Sequence, residues 1–303
     1  MKKDYSIKPD YSGTRLDRWL RKVVCDIPQS LIEKTIRKGN VKVNNKKKKS
    51  SYKIQENDTI TIFNYNFLPD KNKKKTIKYI PTKADLNKQK SFFIEDNENF
   101  VVINKPAGIA VQQGTKSIKN ILDILSKSEP FIDAYPFPVH RLDKETTGIL
   151  IVAKNRKYAQ IFTMLFRKRM IHKTYLGIVR GEVEKKNGIM EDDLVDYVGV
   201  KKVINKAITA FSVLSSNNKY SLLKLNPKTG RKHQLRKQLL IHGNPILGDN
   251  KYRFDTNLKH SKTSLMLHAY KINFTIDNIK YKFSAEVPEL FEKTLKEKYL
   301  KNF

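Results

Sequence analysis

The sequence predicts an α+β fold: a large domain, residues 92–303, on a mainly antiparallel mixed sheet, preceded by a small basic module, residues 13–63. Three observations carry this expectation. In the second part strand-like runs outnumber helical ones, and the two do not alternate regularly, which disfavours a parallel βαβ architecture. The first part places two helical patterns ahead of short alternating strands. Between them, residues 64–91 lose periodicity and hold Pro69, Pro81 and eight lysines (71, 73, 74, 75, 78, 83, 88 and 90), the composition of an extended linker.

In the small module, Leu16, Trp19, Leu20 and Val23 recur at helical spacing behind Thr14, a side chain suited to an N-cap. A second helix is expected from Pro28, carrying Leu31, Ile32 and Ile36 and stopping at Gly39, a residue that tolerates the left-handed C′ position. Alternation follows in Val41-Lys42-Val43-Asn44, then a Lys46–Lys49 loop and a closing strand, Thr59–Ile62. Arg15, Arg18, Arg37, Lys38 and Lys42 give the module a cationic face that suits a phosphate backbone.

The large domain opens with Phe92-Phe93-Ile94, a turn over Glu95–Glu98 and the strand Phe100–Asn104, broken by Lys105-Pro106-Ala107-Gly108. A helix around Ile118–Leu125, a strand Ile149–Val152 and a helix from Tyr158 to Arg167 come next. Strands are expected near Lys173–Val179, Ile208–Val213, Tyr220–Leu225, Ser264–Phe274 and Tyr281–Glu286, with a helix starting near Arg231 after Thr229-Gly230.

Charge narrows the partners. Sixty-one Lys and Arg against thirty Asp and Glu give a formal net charge of +31. Part of that excess follows from a Lys-, Asn- and Ile-rich composition, and the rest points to a polyanion. No apolar run approaches the ~20 residues that span a bilayer, and no lipidation signal is present, so nucleic acid is favoured over membrane. The start, Met1-Lys2-Lys3-Asp4-Tyr5, leads into no apolar stretch, and Asp4, Asp10 and Asp17 argue against a transit peptide. A single cysteine, Cys25, cannot form an internal disulfide or a cysteine zinc site; among Val23, Val24 and Ile27 it is expected in a core. A reducing cytoplasm of bacterial type fits these features.

The chemistry centres on His140-Arg141-Leu142-Asp143-Lys144-Glu145-Thr146-Thr147-Gly148, which sets one carboxylate in a turn ahead of an apolar strand. Such an aspartate can be nucleophilic or charge-stabilising, or simply ion-paired with its neighbouring arginine. Cofactor motifs are missing: no two of the twelve glycines lie two positions apart, so Gly-x-Gly-x-x-Gly is absent, and Gly243 and Gly248, at P-loop spacing, are followed by Asp249 rather than Lys. No His-Glu-x-x-His occurs. Neither cofactor nor metal is therefore expected.

Further along stand Lys173-Thr174-Tyr175, then Gly230-Arg231-Lys232-His233-Gln234-Leu235-Arg236, then Gly243-Asn244-Pro245-Ile246-Leu247-Gly248-Asp249. These segments, in this order with the Asp143 turn, resemble the catalytic core of the large-subunit-type ribosomal RNA pseudouridine synthases. The module from Arg15-Leu16-Asp17 to Ile62, including Ile36–Asn44, resembles the S4-type (alpha-L) RNA-binding domain. Together the resemblance runs from about Gly13 to Pro288. Within the family, the module and Asn104–Val111 are similar to the large-subunit pseudouridine synthase C subgroup. Departures are Thr147 for serine, Gly177 for alanine, Lys237-Gln238 for Val-His and Gln112-Gln113 for His-Gly.

The resemblance implies a pseudouridine synthase catalytic domain that isomerises uridines of large-subunit (23S) ribosomal RNA or its precursor, acting as a monomer without an obligate protein partner. It implies Asp143 as the carboxylate acting at the anomeric carbon, Arg236 as the cation beside it, and Tyr175 over the target base. Arg141 would fill the gap left by the flipped nucleotide. Arg231 and His233 are expected either in the site or in a structural role; Gly148 is expected to permit tight packing, and Pro245 and Gly248-Asp249 to form a supporting loop. The competing reading is a non-catalytic S4-type factor bound to ribosomes. That reading predicts decay at Asp143, Tyr175 and Arg236, all of which are present. A methyltransferase is opposed by the missing glycine-rich loop.

Overall fold

The computed structural model describes residues 2–25, 27–64, 79–113, 118–198, 201–254 and 264–301. They form two compact units, Met1–Ile77 and Lys78–Phe303. Half of the expected linker, residues 65–78, lies outside the described residues.

The first unit begins with a strand that was not expected, β1 (Lys2–Ser6), followed by α1 (Leu16–Trp19), which runs on into a wider turn at Leu20–Val24. Then come α2 (Gln29–Arg37), β2 (Val41–Val43), β3 (Lys46–Lys47) and β4 (Thr59–Phe63). The strands pair antiparallel in the order β1-β4-β2-β3. Two details differ from the sequence reading. The N-cap of α1 is Arg15, not Thr14. A side-chain cap is dispensable here because the Leu16 and Asp17 amides donate to the Tyr52 and Ser50 carbonyls. The expected Lys46–Lys49 loop contains β3, since Asn44 and Asn45, both at positive φ (47° and 60°), close a tight hairpin. Gly39 does occupy the left-handed position after α2, at φ 81°. Leu16, Trp19, Leu20, Ile32, Ile36, Val41, Ile60 and Ile62 form the core, with Cys25 buried in it.

In the second unit, α3 (Lys83–Gln89) stands where the linker was expected to continue to residue 91. Thr82 and Asp85 cap it reciprocally. Next come β5 (Phe93–Asp96), β6 (Phe100–Lys105), α4 (Ile121–Leu125), β7 (Phe137–Pro138), β8 (Thr147–Ala153) and α5 (Arg156–Arg167). They are followed by β9 (His172–Arg180), β10 (Asn187–Val198), β11 (Lys201–Asn217), β12 (Tyr220–Pro227), α6 (Gln234–Ile241), β13 (Leu267–Ile276), β14 (Ile279–Ser284) and α7 (Glu289–Glu297). The sheet runs β10-β11-β12-β9-β13-β8-β6-β5, with β14 on β13 and β7 on β8. Every pairing is antiparallel except β13 with β8. The mainly antiparallel mixed sheet of the sequence reading is present.

Strand β8 is buried along its whole length, as a strand covered on both faces should be. Ile149 and Ile151 pack with Phe100 and Phe162 on one side; Leu150 and Val152 pack with Ile103, Ile121 and Phe131 on the other. This rigid central strand carries the Asp143 turn at its leading end.

Candidate active site

The turn before β8 is fixed from several directions. His140 Nε2 accepts from the Ile151 amide at 2.9 Å, so this nitrogen is unprotonated, and burial pushes the imidazole down to about 3 with Lys173 adding to the effect. The Thr146 amide donates to the Asp143 carbonyl, and the Gly108 amide to the Lys144 carbonyl. Lys105, fully buried, points its ammonium at the carbonyls of Pro106 (2.8 Å), Ile109 (3.0 Å) and Lys144 (3.1 Å). Burial lowers this lysine to about 8, against the pull of Glu145 and Asp143. Gly148 has φ 105°, and a Cβ there would collide with the Ala269 backbone, so the tight packing expected of it is what the fold requires. The Thr147 hydroxyl meets Nδ1 of the buried His268 at 2.8 Å.

Opposite the turn, α6 presents Arg236. Its Nη1 donates to Asp143 Oδ2 at 3.1 Å, while Nε and Nη2 grip Asp249 at 2.7 and 2.8 Å. Asp249, fully buried in its side chain, also accepts from the Lys251 and Tyr252 amides. Burial opposes the charge on Arg236, but Asp249 and then Asp143 outweigh it and hold the guanidinium charged. The Tyr252 ring lies 5.0 Å from the guanidinium. Asp249, read from sequence as part of a supporting loop, is thus what orients Arg236.

The helix starts later than expected. It begins at Gln234, and His233 is its N-cap in the left-handed conformation, φ 53°. Arg231 and His233 therefore do not share a helix with Arg236. Arg231 donates to the Lys206 carbonyl at 3.0 Å, whereas His233 places Nε2 3.6 Å from Asp143 Oδ1 and Nδ1 2.8 Å from the Tyr252 hydroxyl. Burial lowers His233, with Asp143 pulling the other way. The motif glutamine is structural: Gln234 accepts from Thr229 Oγ1 and donates to Thr209 Oγ1. Gln238, one of the departures noted above, is fully buried and joins Thr209, Asp192 and the Met190 carbonyl, pinning α6 to β10 and β11.

A cleft of about 600 Å³ lies over these groups. Asp143, Tyr175, Lys173, His233 and Arg236 line it, with Arg141, Arg167, Arg169, Arg231 and Lys232 adding cations. Tyr175 rises from β9; burial, and then the Asp143 charge, push its phenol well above the ordinary range. Arg141 is exposed at the opening. Among the described residues, no group of three or more His, Cys, Asp or Glu is placed to hold a metal ion.

In the first unit, Arg18, Arg37 and Lys38 are exposed. Lys42 is half-buried, its ammonium 5.0 Å from the Phe63 ring. Arg15 is engaged: it grips the buried Asp17 through Nε (3.0 Å) and Nη2 (2.6 Å).

Comparison with known proteins gives a consistent picture. The family described as RNA pseudouridylate synthase matches residues 99–240, and the S4 domain family matches residues 14–60. Proteins of Rickettsia bellii and Vibrio vulnificus, both called ribosomal large subunit pseudouridine synthase C, are 34% and 32% identical. The first alignment covers 86% of this chain and 89% of the relative; the second covers 89% and 87%. Among solved structures, human RNA pseudouridylate synthase domain containing 4 aligns with a TM-score of 0.62 at 28% identity, over 72% of this chain and 96% of that one. Human RNA pseudouridylate synthase domain containing 1 shares the fold, with a TM-score of 0.55 at 22% identity.

Proposed function

The chain belongs to the RNA pseudouridylate synthase family, and from that premise we propose that it converts uridines of large-subunit ribosomal RNA to pseudouridine, with Asp143 as the carboxylate acting on the sugar. The observation that carries the assignment is the position of Asp143: a carboxylate on the cleft wall, on a turn fixed at both ends, 3.1 Å from a guanidinium that is itself clamped by Asp249.

Breaking the N1–C1′ bond leaves positive charge on the anomeric carbon, as in glycosidases. The carboxylate either bonds to that carbon or takes the proton from the neighbouring sugar carbon; both routes need it ionised. Arg236 donates to Asp143 Oδ2 and holds the carboxylate in the cleft. Tyr175 supports the base by stacking. Burial first, and then the Asp143 charge, hold the phenol protonated. Rejoining through carbon five leaves that carbon's proton to be lost and N1 to gain one; the Tyr175 hydroxyl relays it, giving its own proton toward N1 and receiving the one from carbon five. Arg141 replaces stacking lost when the uridine leaves its helix, a cost of a few kcal/mol. The small module adds phosphate contacts through Arg18, Arg37, Lys38 and Lys42. The protein works as a monomer in a bacterial cytoplasm.

Pseudouridine mapping of ribosomal RNA from cells with and without the gene tests the function, with specific sites expected to vanish in its absence. In purified protein, Asp143→Asn and Asp143→Ala should abolish product while leaving folding and RNA binding intact. More than a trace of activity in Asp143→Ala would remove the assignment.

A further inference from the structure

Lys173 is a cation in the catalytic cleft that the reaction as described does not use. It lies two residues before Tyr175 on β9, so both side chains leave the same face of the strand, about 7 Å apart along it. Its side chain is half-buried and lines the cleft with Phe166, Ile171 and His140. The backbone carbonyl of Lys173 accepts from Asn226, but among the described residues its ammonium has no hydrogen-bond or ion-pair partner. Burial pushes this ammonium below its ordinary range. A desolvated cation without an anion is costly, and the cost is recovered when an anion arrives.

Position decides which anion. Arg167 and Arg169 are exposed at the edge of the same cleft, positions suited to phosphate contacts. Lys173 is recessed behind them, beside the tyrosine against which the flipped base is to stack. Asp143, paired with Arg236, stands on the turn before β8, whereas Lys173 stands on β9 next to Tyr175, which places the lysine with the base rather than with the sugar.

Resting on the synthase reading, we propose that Lys173 is a catalytic cation that stabilises the uracil anion released from the sugar. When N1–C1′ breaks, the electron pair leaves with N1 and spreads over O2 and O4. The ammonium offers a preorganised positive charge there, keeps its proton and forms no covalent bond. Its contribution is confined to the cleaved state, so it raises rate rather than affinity.

The experiment compares wild-type protein with Lys173→Met and Lys173→Arg on transcribed large-subunit ribosomal RNA, measuring RNA affinity against salt and the single-turnover rate. Lys173→Gln replaces Lys173→Met if the latter has a lower melting temperature. The expected result is a rate loss of about 100-fold, the scale for removing one anion-stabilising group, with affinity and salt slope unchanged. Lys173→Arg should recover part of the loss. With 5-fluorouridine in the transcript, whose base anion is intrinsically more stable, the cleavage deficit of Lys173→Met should shrink. A wild-type rate in both neutral variants overturns the proposal. So does a loss expressed as weaker binding with a flatter salt slope, the signature of a phosphate contact. Wild-type protein that forms no pseudouridine overturns the synthase reading, and the proposal falls with it.

Discussion

A carboxylate can only accept hydrogen bonds, and this rule orders the side chains around Asp143. Arg236 supplies the donor to Oδ2. His233 Nε2 stands 3.6 Å from Oδ1, where the tautomer with its proton on Nε2 meets the carboxylate best. In that tautomer Nδ1 accepts from the Tyr252 hydroxyl, 2.8 Å away. Tyr252 is therefore a positioning residue with two functions: its hydroxyl sets the His233 tautomer, and its ring supports Arg236. Tyr252→Phe removes the first and keeps the second. A lost hydrogen bond of about 1 kcal/mol should slow turnover by about fivefold, with KM unchanged. Tyr252→Ala, losing both, should be slower still. Equal turnover in wild type and Tyr252→Phe would show that the tautomer does not matter.

At the scale of elements, the sequence made the catalytic turn, the central strand and the two module helices legible, because each has a local signature. Motifs pointed to Tyr175 and Arg236, both of which line the cleft, and Arg236 lies 3.1 Å from Asp143. Strand β10 escaped notice. Glu191, Asp192, Asp193 and Asp196 give it low strand propensity. Ile189 and Val195 are exposed while Met190 and Leu194 are buried, which blurs the period of two. Its pairing with β11, a long-range fact, makes it a strand. Helix α7 was also missed, although Pro288, an acidic first turn and Phe291 with Leu295 encode it. Lys105 gave no local sign that it would be buried, since only the packed loops supply its three carbonyls. The elements also carry an acid sensitivity. His140 and His268, which join β8 to its surroundings, have native values of about 3 and about 4, below the ordinary 6.5. The unfolded chain therefore takes up protons that the native one refuses, so stability is full above 6.5 and declines as pH falls toward 4. Denaturant unfolding should give a slope approaching two protons in that window from these rings, and His268→Asn should remove one of them. An unchanged slope in that variant would contradict the assignment.

At the scale of the whole molecule, the proposed function assigns affinity and chemistry to different units. Asp143, Tyr175, Lys173 and Arg236 all belong to Lys78–Phe303, whereas Arg18, Arg37 and Lys38 are exposed on Met1–Ile77. Each unit has its own buried core, so losing the first leaves the packing of the second unit's core intact. Phosphate contacts bring binding strength with little sequence information, and each one adds about 0.7–0.9 to the slope of log affinity against log salt. Deleting residues 1–75 should therefore weaken binding to ribosomal RNA and flatten its salt dependence. Arg15 should contribute little to that change, because its guanidinium is already committed to Asp17; Arg18→Ala and Arg37→Ala should contribute more. The truncated protein should regain at least part of its activity at high RNA concentration and low salt, where the remaining cations of the cleft suffice for encounter. A truncation with an unchanged salt slope would place the phosphate contacts in the larger unit. One that folds, as judged by a cooperative melt, yet stays inactive under those conditions would show that the small module takes part in the chemistry rather than in delivery.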